Sequence, residues 1–122
     1  MIMVCVTGQT TCAPMIEYAR ALADERGQAL AVVHVCRPED SVLGASDEGE
    51  ALQYLYECAR NAGAEMQFIR SEKISRSIVS FASENGVTAI VLGKLHSSGE
   101  ESFIYRKLHE RLPNVEIVGY EV

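Results

Sequence analysis

Short runs of strand length alternate along this chain with longer stretches whose apolar residues return every three or four positions. Residues 1–6, Met-Ile-Met-Val-Cys-Val, are apolar without a break and predict a first strand. A polar Thr-Gly-Gln-Thr-Thr loop follows. Met15, Ile16, Tyr18, Ala19, Leu22 and Ala23 then recur at helical spacing, with Pro14 placed for the first turn and Gly27 just past the end. Residues 29–35 predict a second strand, and Pro38 and Gly44 mark the loop after it. Asp47 starts a second helix that carries Leu52, Leu55, Cys58, Ala59 and Ala62 and closes at Gly63. Residues 65–70 predict strand three. A third helix over 73–85 sets Ile74, Ile78, Phe81 and Ala82 on one face and stops at Gly86. Strand four spans 88–92 and ends at Gly93; after a polar loop, Phe103, Ile104 and Leu108 predict a fourth helix that Pro113 stops, and residues 115–122 predict a fifth strand.

Strands that are apolar throughout are buried on both faces, which a parallel sheet covered by helices provides. Regular βα alternation with right-handed crossovers then gives an α/β fold: a five-stranded parallel doubly wound sheet with four helices. A reversal of winding between strands one and four corresponds to the order 3-2-1-4-5.

At 122 residues and 48% apolar, the chain has material for one packed core and is read as a single domain over 1–122. No apolar run approaches the roughly 20 residues of a membrane span, and residues 1–6 lack the basic flank and cleavage site of a leader, so the expectation is a cytoplasmic protein that begins at Met1. Cys5, Cys12, Cys36 and Cys58 lack the close spacing of zinc or redox motifs and are expected as reduced thiols, with no metal site. A net charge of -6 argues against nucleic acid or an anionic membrane as a partner. Basic residues form two short clusters, Arg70 with Lys73 and Arg76, and Arg106 with Lys107 and Arg111.

In a sheet of this kind, ligands bind beyond the carboxyl ends of the strands, where the order reverses. The loops expected there are 7–11 and 93–101, with 34–37 alongside. They bring Thr7, Gly8, Gln9, Val35, Gly93, Lys94 and His96 forward as candidates for a nucleotide-like anion held on helix-start amides. Another reading makes Gly8 and Gly93 tight turns and Thr10 or Thr11 a helix cap. The Gly-Lys-Ser/Thr ending of a P-loop is missing, which argues against triphosphate hydrolysis of that type. His34, inside a strand, is expected to be buried and hydrogen-bonded, and His109 to lie on the outer face of its helix. Cys12, near a helix start, is either a reactive thiol or a buried, inert one. Tyr54, Tyr56 and Tyr105 read as ordinary helix residues.

The strings Ile16-Glu-Tyr-Ala-Arg-Ala-Leu-Ala23, Ala31-Val-Val-His-Val35 and Ile78-Val-Ser-Phe-Ala-Ser-Glu-Asn-Gly-Val-Thr-Ala-Ile-Val-Leu-Gly93 resemble the universal stress protein superfamily over essentially the whole chain. Within it, the Val-Cys-Val first strand and the Leu-Pro-x-Val-x-Ile ending resemble the stress-protein domain of the KdpD-type potassium-sensing histidine kinases. The resemblance implies a Rossmann-like, adenine nucleotide alpha hydrolase-like fold. Its ATP-binding members carry an aspartate at the end of strand one, then Gly-x-x-Gly, nine residues and Gly-Ser/Thr after strand four. Here Thr7 stands in the aspartate's place, Gly93 fits the first glycine, His96 replaces the second, and Arg106-Lys107 replaces the Gly-Ser pair. Arg106 and Lys107 therefore join the candidate anion-binding residues.

The reading implied is a noncatalytic regulatory or signalling module. Its ligand would be ATP, AMP or a cyclic dinucleotide, or else its partner a protein, and it would pair as a homodimer through residues 115–122. Two alternatives stand beside it. In isolation, Cys5-Val-Thr-Gly-Gln-Thr-Thr11 resembles the phosphocysteine loop of sugar phosphotransferase IIB enzymes, which would make Cys5 a nucleophile. The other is a protein-interaction scaffold without a small ligand.

Overall fold

The computed structural model describes residues 1–7, 9–94 and 99–121, with some side chains near the ends of these segments left out of account. Strands β1 (Ile2–Cys5), β2 (Leu30–Cys36), β3 (Glu65–Arg70), β4 (Ala89–Lys94) and β5 (Glu116–Glu121) alternate with helices α1 (Gln9–Arg26), α2 (Glu48–Asn61), α3 (Ile74–Glu84) and α4 (Gly99–Arg111). All four pairings are parallel, in the order β3-β2-β1-β4-β5. The expected architecture and strand order are those observed.

The pleat of the central strands builds two cores. Ile2, Val4 and Val6, with Leu30, Val32, Ala89 and Val91, face α1 and α2. Met3 and Cys5, with Ala31, Val33, Ile90 and Leu92, face α3 and α4. Each fully buried aliphatic side chain contributes roughly 1.5–3 kcal/mol to this packing. Edge strand β3 instead alternates between exposed Glu65, Gln67 and Arg70 and half-buried Met66, Phe68 and Ile69, because an edge strand has a neighbouring strand on one side only.

The chain breaks its helices where the sequence expects. Asp47 caps α2 by accepting a hydrogen bond from the Glu50 amide (3.1 Å), and α1, α2 and α3 run into Gly27, Gly63 and Gly86, each near φ 63–64°, a conformation costly for any residue with a Cβ.

Three boundaries differ by more than a residue. Helix α1 begins at Gln9, so Pro14 lies inside it rather than in its first turn, and Thr10 and Thr11 are helical rather than caps. The missing Pro14 amide leaves the carbonyl one turn earlier without its helical donor. Strand β4 runs through Gly93 to Lys94 because β5 supplies partners for both, Tyr120 and Glu121. Helix α4 starts at Gly99, inside the segment expected as loop, while residues 95–98 lie outside the described residues.

Candidate functional site

Strand β1 is the shortest of the five, and both neighbours outrun it. Its last paired residue, Cys5, faces Val33 on one side and Leu92 on the other. Beyond these, β2 continues for His34, Val35 and Cys36, held by β3, and β4 continues for Gly93 and Lys94, held by β5. The carboxyl end of β1 is therefore the floor of a notch walled by its neighbours, at the point where the winding reverses. Val6 adds one more bond to β2, its amide donating to the Val33 carbonyl (3.0 Å), and the exposed Thr7 leads from the floor toward α1.

The structure brings Thr7, Val35 and Gly93 to this notch, and Gln9 and Lys94 begin and end the elements beside it. Gly8 and His96 lie outside the described residues. Arg106 and Lys107 sit well inside α4, where both reach the half-exposed ring of Phe103: the Lys107 Nζ is 5.5 Å and the Arg106 Cζ 6.0 Å from its centre.

His34 is the residue that shapes the wall. It is buried, as expected, and its imidazole spans two backbone segments: Nδ1 lies 2.7 Å from the Val6 carbonyl and Nε2 3.0 Å from the Leu43 amide. Since an amide must donate, Nε2 is the acceptor; Nδ1 carries the hydrogen and donates to Val6, which assigns the neutral tautomer. Burial, opposed by the Val6 bond and aided by the Arg70 charge, pulls its pKa below the usual histidine value. The Leu43 amide it holds belongs to a short 3-10 turn, Val42–Gly44, in which Leu43 takes φ 54°. Arg70 fastens the same connection from β3: its Nη1 donates to the carbonyls of Arg37 (3.2 Å), Pro38 (3.4 Å) and Asp40 (3.1 Å), and its Nη2 pairs with Glu48. The sequence marked His34 as structural but carried no sign of Arg70's role, because all three of its carbonyl partners lie in an irregular loop.

Neither candidate thiol is poised to react. Cys5 is the final residue of β1, 5% exposed, with its side chain in the core under α3 and α4, and burial pushes its pKa up to about 12. Cys12 is fully buried against α2, and burial first, then the neighbouring Cys58, pushes it likewise to about 12. Near neutral pH such a thiol stays protonated, and the thiolate is the nucleophile. Native protein treated with iodoacetamide is therefore expected to leave Cys5 unmodified by mass spectrometry until it is unfolded; rapid labelling of folded protein at Cys5 would revive a phosphocysteine role.

Elsewhere, α3 and α4 border a groove of about 670 Å³ lined by residues of both basic clusters, Lys73 and Arg76 from one and Lys107 and Arg111 from the other. Among the described residues no group of His, Cys, Asp and Glu could hold a metal, and no helix is long and apolar enough to cross a membrane.

The model of the universal stress protein family matches residues 1–110. No curated protein sequence matches the chain. Among solved structures, a universal stress protein from Archaeoglobus fulgidus superposes with a TM-score of 0.66 at 22% identity, covering 97% of this chain and 96% of its own. The same organism's universal stress protein in complex with dAMP gives 0.64 at 22% identity over 97% and 94%. A universal stress protein in complex with cAMP gives 0.70 at 15% identity over 98% and 94%. At these identities the superpositions establish a shared fold.

Proposed function

The chain belongs to the universal stress protein family, and from that membership we propose that it is a noncatalytic, cytoplasmic regulatory domain that binds an adenine nucleotide or cyclic dinucleotide across the end of β1. The observation that carries this reading is the notch itself, where β1 stops short of both neighbours at the winding reversal. Two structures of the same fold hold cAMP and dAMP, which favours a nucleotide over other anions. Thr7 offers a hydroxyl that can donate and accept, Val35 an apolar wall, and Gly93 a side-chain-free approach to the β4 backbone. A charged group is absent at position 7, so the affinity expected is micromolar or weaker. The Val-Cys-Val strand and the ending from Leu112 to Ile117 favour, within the family, the KdpD-type domains.

Ligand binding to the folded state alone must raise the melting temperature. At ten times the dissociation constant the gain is about 1.4 kcal/mol, or roughly 3–6 °C for a chain of this size. ATP, AMP and cyclic di-AMP are to be titrated separately, and Gly93→Val, which puts a branched side chain into the notch wall, is expected to abolish the rise. No shift with any of the three up to about a millimolar would turn the reading toward a protein-interaction module.

Strand β5 leaves one edge of the sheet open, and we propose that it pairs with β5 of a second copy. Sedimentation equilibrium at tens of micromolar is expected to return twice the chain mass; a monomer mass there would sink the pairing.

A further inference from the structure

We propose that the groove between α3 and α4 is a separate binding site for a compact polyanion carrying two or more phosphate groups, distinct from the notch at the end of β1. Among the described residues, its lining gathers Arg37, Lys73, Arg76, Lys107 and Arg111 against a single carboxylate, Glu72. On a chain whose net charge is -6, a local surplus of three positive charges, with Arg37 set against Asp40 and left out of the count, is a concentrated exception, and like charges facing one another across a groove repel unless an anion stands between them. Elsewhere Arg20 pairs with Asp24, Arg26 with Glu116 and Arg70 with Glu48, while Arg60 and Arg106 stand singly rather than facing other cations across a groove. Among the described residues, Lys73, Arg76, Lys107 and Arg111 have no ion-pair partner, whereas Arg37 reaches Asp40 at 3.9 Å.

The surroundings agree with that chemistry. Lys73 occupies the N-cap of α3 with no side-chain cap bond, and the first turn holds no acidic residue, so Lys73 and Arg76 sit against the positive end of the helix dipole. That arrangement is unfavourable for the free helix and becomes favourable once a phosphate accepts from its first amides and from both cations. On the facing helix, Lys107 stands over the Phe103 ring, which is 43% exposed and leaves a flat apolar surface beside the cations. Ile74, Val79 and Ile104 supply apolar floor. The volume of about 670 Å³ falls within the roughly 300–1,000 Å³ of small-ligand pockets, and cations on both walls suit a compact anion bridging the helices better than an extended acidic chain.

Inorganic tripolyphosphate, titrated into the whole chain at about 150 mM salt and followed by amide chemical shifts, tests the assignment. The expected result is saturable binding below about a millimolar, with shifts concentrated at residues 73–80 and 103–111. Arg76→Glu, at an exposed position, and Lys107→Glu, at a half-buried one, should each weaken binding about tenfold or more, the scale of one charge-assisted contact. Their melting temperatures report whether each variant folds, and Arg60→Glu on α2 serves as the charge-matched control that leaves binding unchanged. Shifts centred on Thr7, Val35 and Gly93 would assign the anion to the notch and overturn the groove site. So would a response that never saturates, equal weakening by Arg60→Glu, or displacement of tripolyphosphate by a short poly-glutamate peptide at lower concentration, which would make the groove a docking surface for acidic protein.

Discussion

Replacing His34 by alanine is expected to lower the unfolding free energy by about 3–5 kcal/mol, a large part of the 5–15 kcal/mol typical of a domain. Three losses combine. The imidazole is 4% exposed and packs against Phe68 with ring centres 5.8 Å apart, so its removal leaves a cavity between β1, β2 and the 3-10 turn. The Val6 carbonyl and the Leu43 amide are both left without the partner they have now, each at a desolvation cost of about 1–3 kcal/mol. Leu43, at φ 54°, also loses the bond that holds a branched residue in the left-handed region. The same ring predicts a pH dependence. Its folded pKa is lowered, so the unfolded chain takes up the proton first as pH falls below about 6.5. The stability contribution is complete above that pH and is lost as pH falls through the folded value. Urea midpoints measured from pH 7.5 to 5 should decline for the native protein, and this component should vanish in His34→Gln. An alanine variant within about 0.5 kcal/mol of the parent would mean that the ring does not tie these segments together.

Where the sequence was legible, local chemistry and final structure pointed the same way. Asp47, Gly63 and Gly86 act through their own backbone and neighbours, and they bound α2 and α3 as read. Strand β1, and β2 apart from His34, are apolar because both faces are covered, and that run was visible before any pairing was known. Legibility failed where a boundary depends on a distant partner. Gly93 reads as a terminator, yet β5 pairs with it and extends β4, and this unequal extension is what creates the notch. Pro14 reads as a helix start, but burial of Cys12 and Met15 on the sheet side keeps the preceding turn helical. The two basic clusters stood out in the sequence as separate features some thirty residues apart. Only the shared right-handed sense of the β3–β4 and β4–β5 crossovers, which puts α3 and α4 on one face, makes them a single groove.

Helix α4 is the element on which that groove most depends, and Leu108→Ala is expected to cost about 3–4 kcal/mol. Among the described residues of α4, Leu108 alone is fully buried; Ile104 and Tyr105 are half-covered, and Leu112, 7% exposed, lies just past its end. By contrast, α1 seats Cys12, Met15, Ile16, Ala19 and Ala23 in the opposite core. Truncating one anchor of a thinly anchored helix removes a larger share of its docking energy than the same change on α1, so the loss should be local as well as global. Native-state hydrogen exchange is the discriminating measurement: amides from residues 105–111 should exchange markedly faster in the variant, while those of α1 should change only by the global amount. Phe103→Ala, which removes an exposed ring, should cost less than about 1 kcal/mol and leave exchange in the helix nearly unchanged. If instead Leu108→Ala accelerated exchange uniformly across both faces of the sheet, α4 would be part of the cooperative core. It could not then loosen alone.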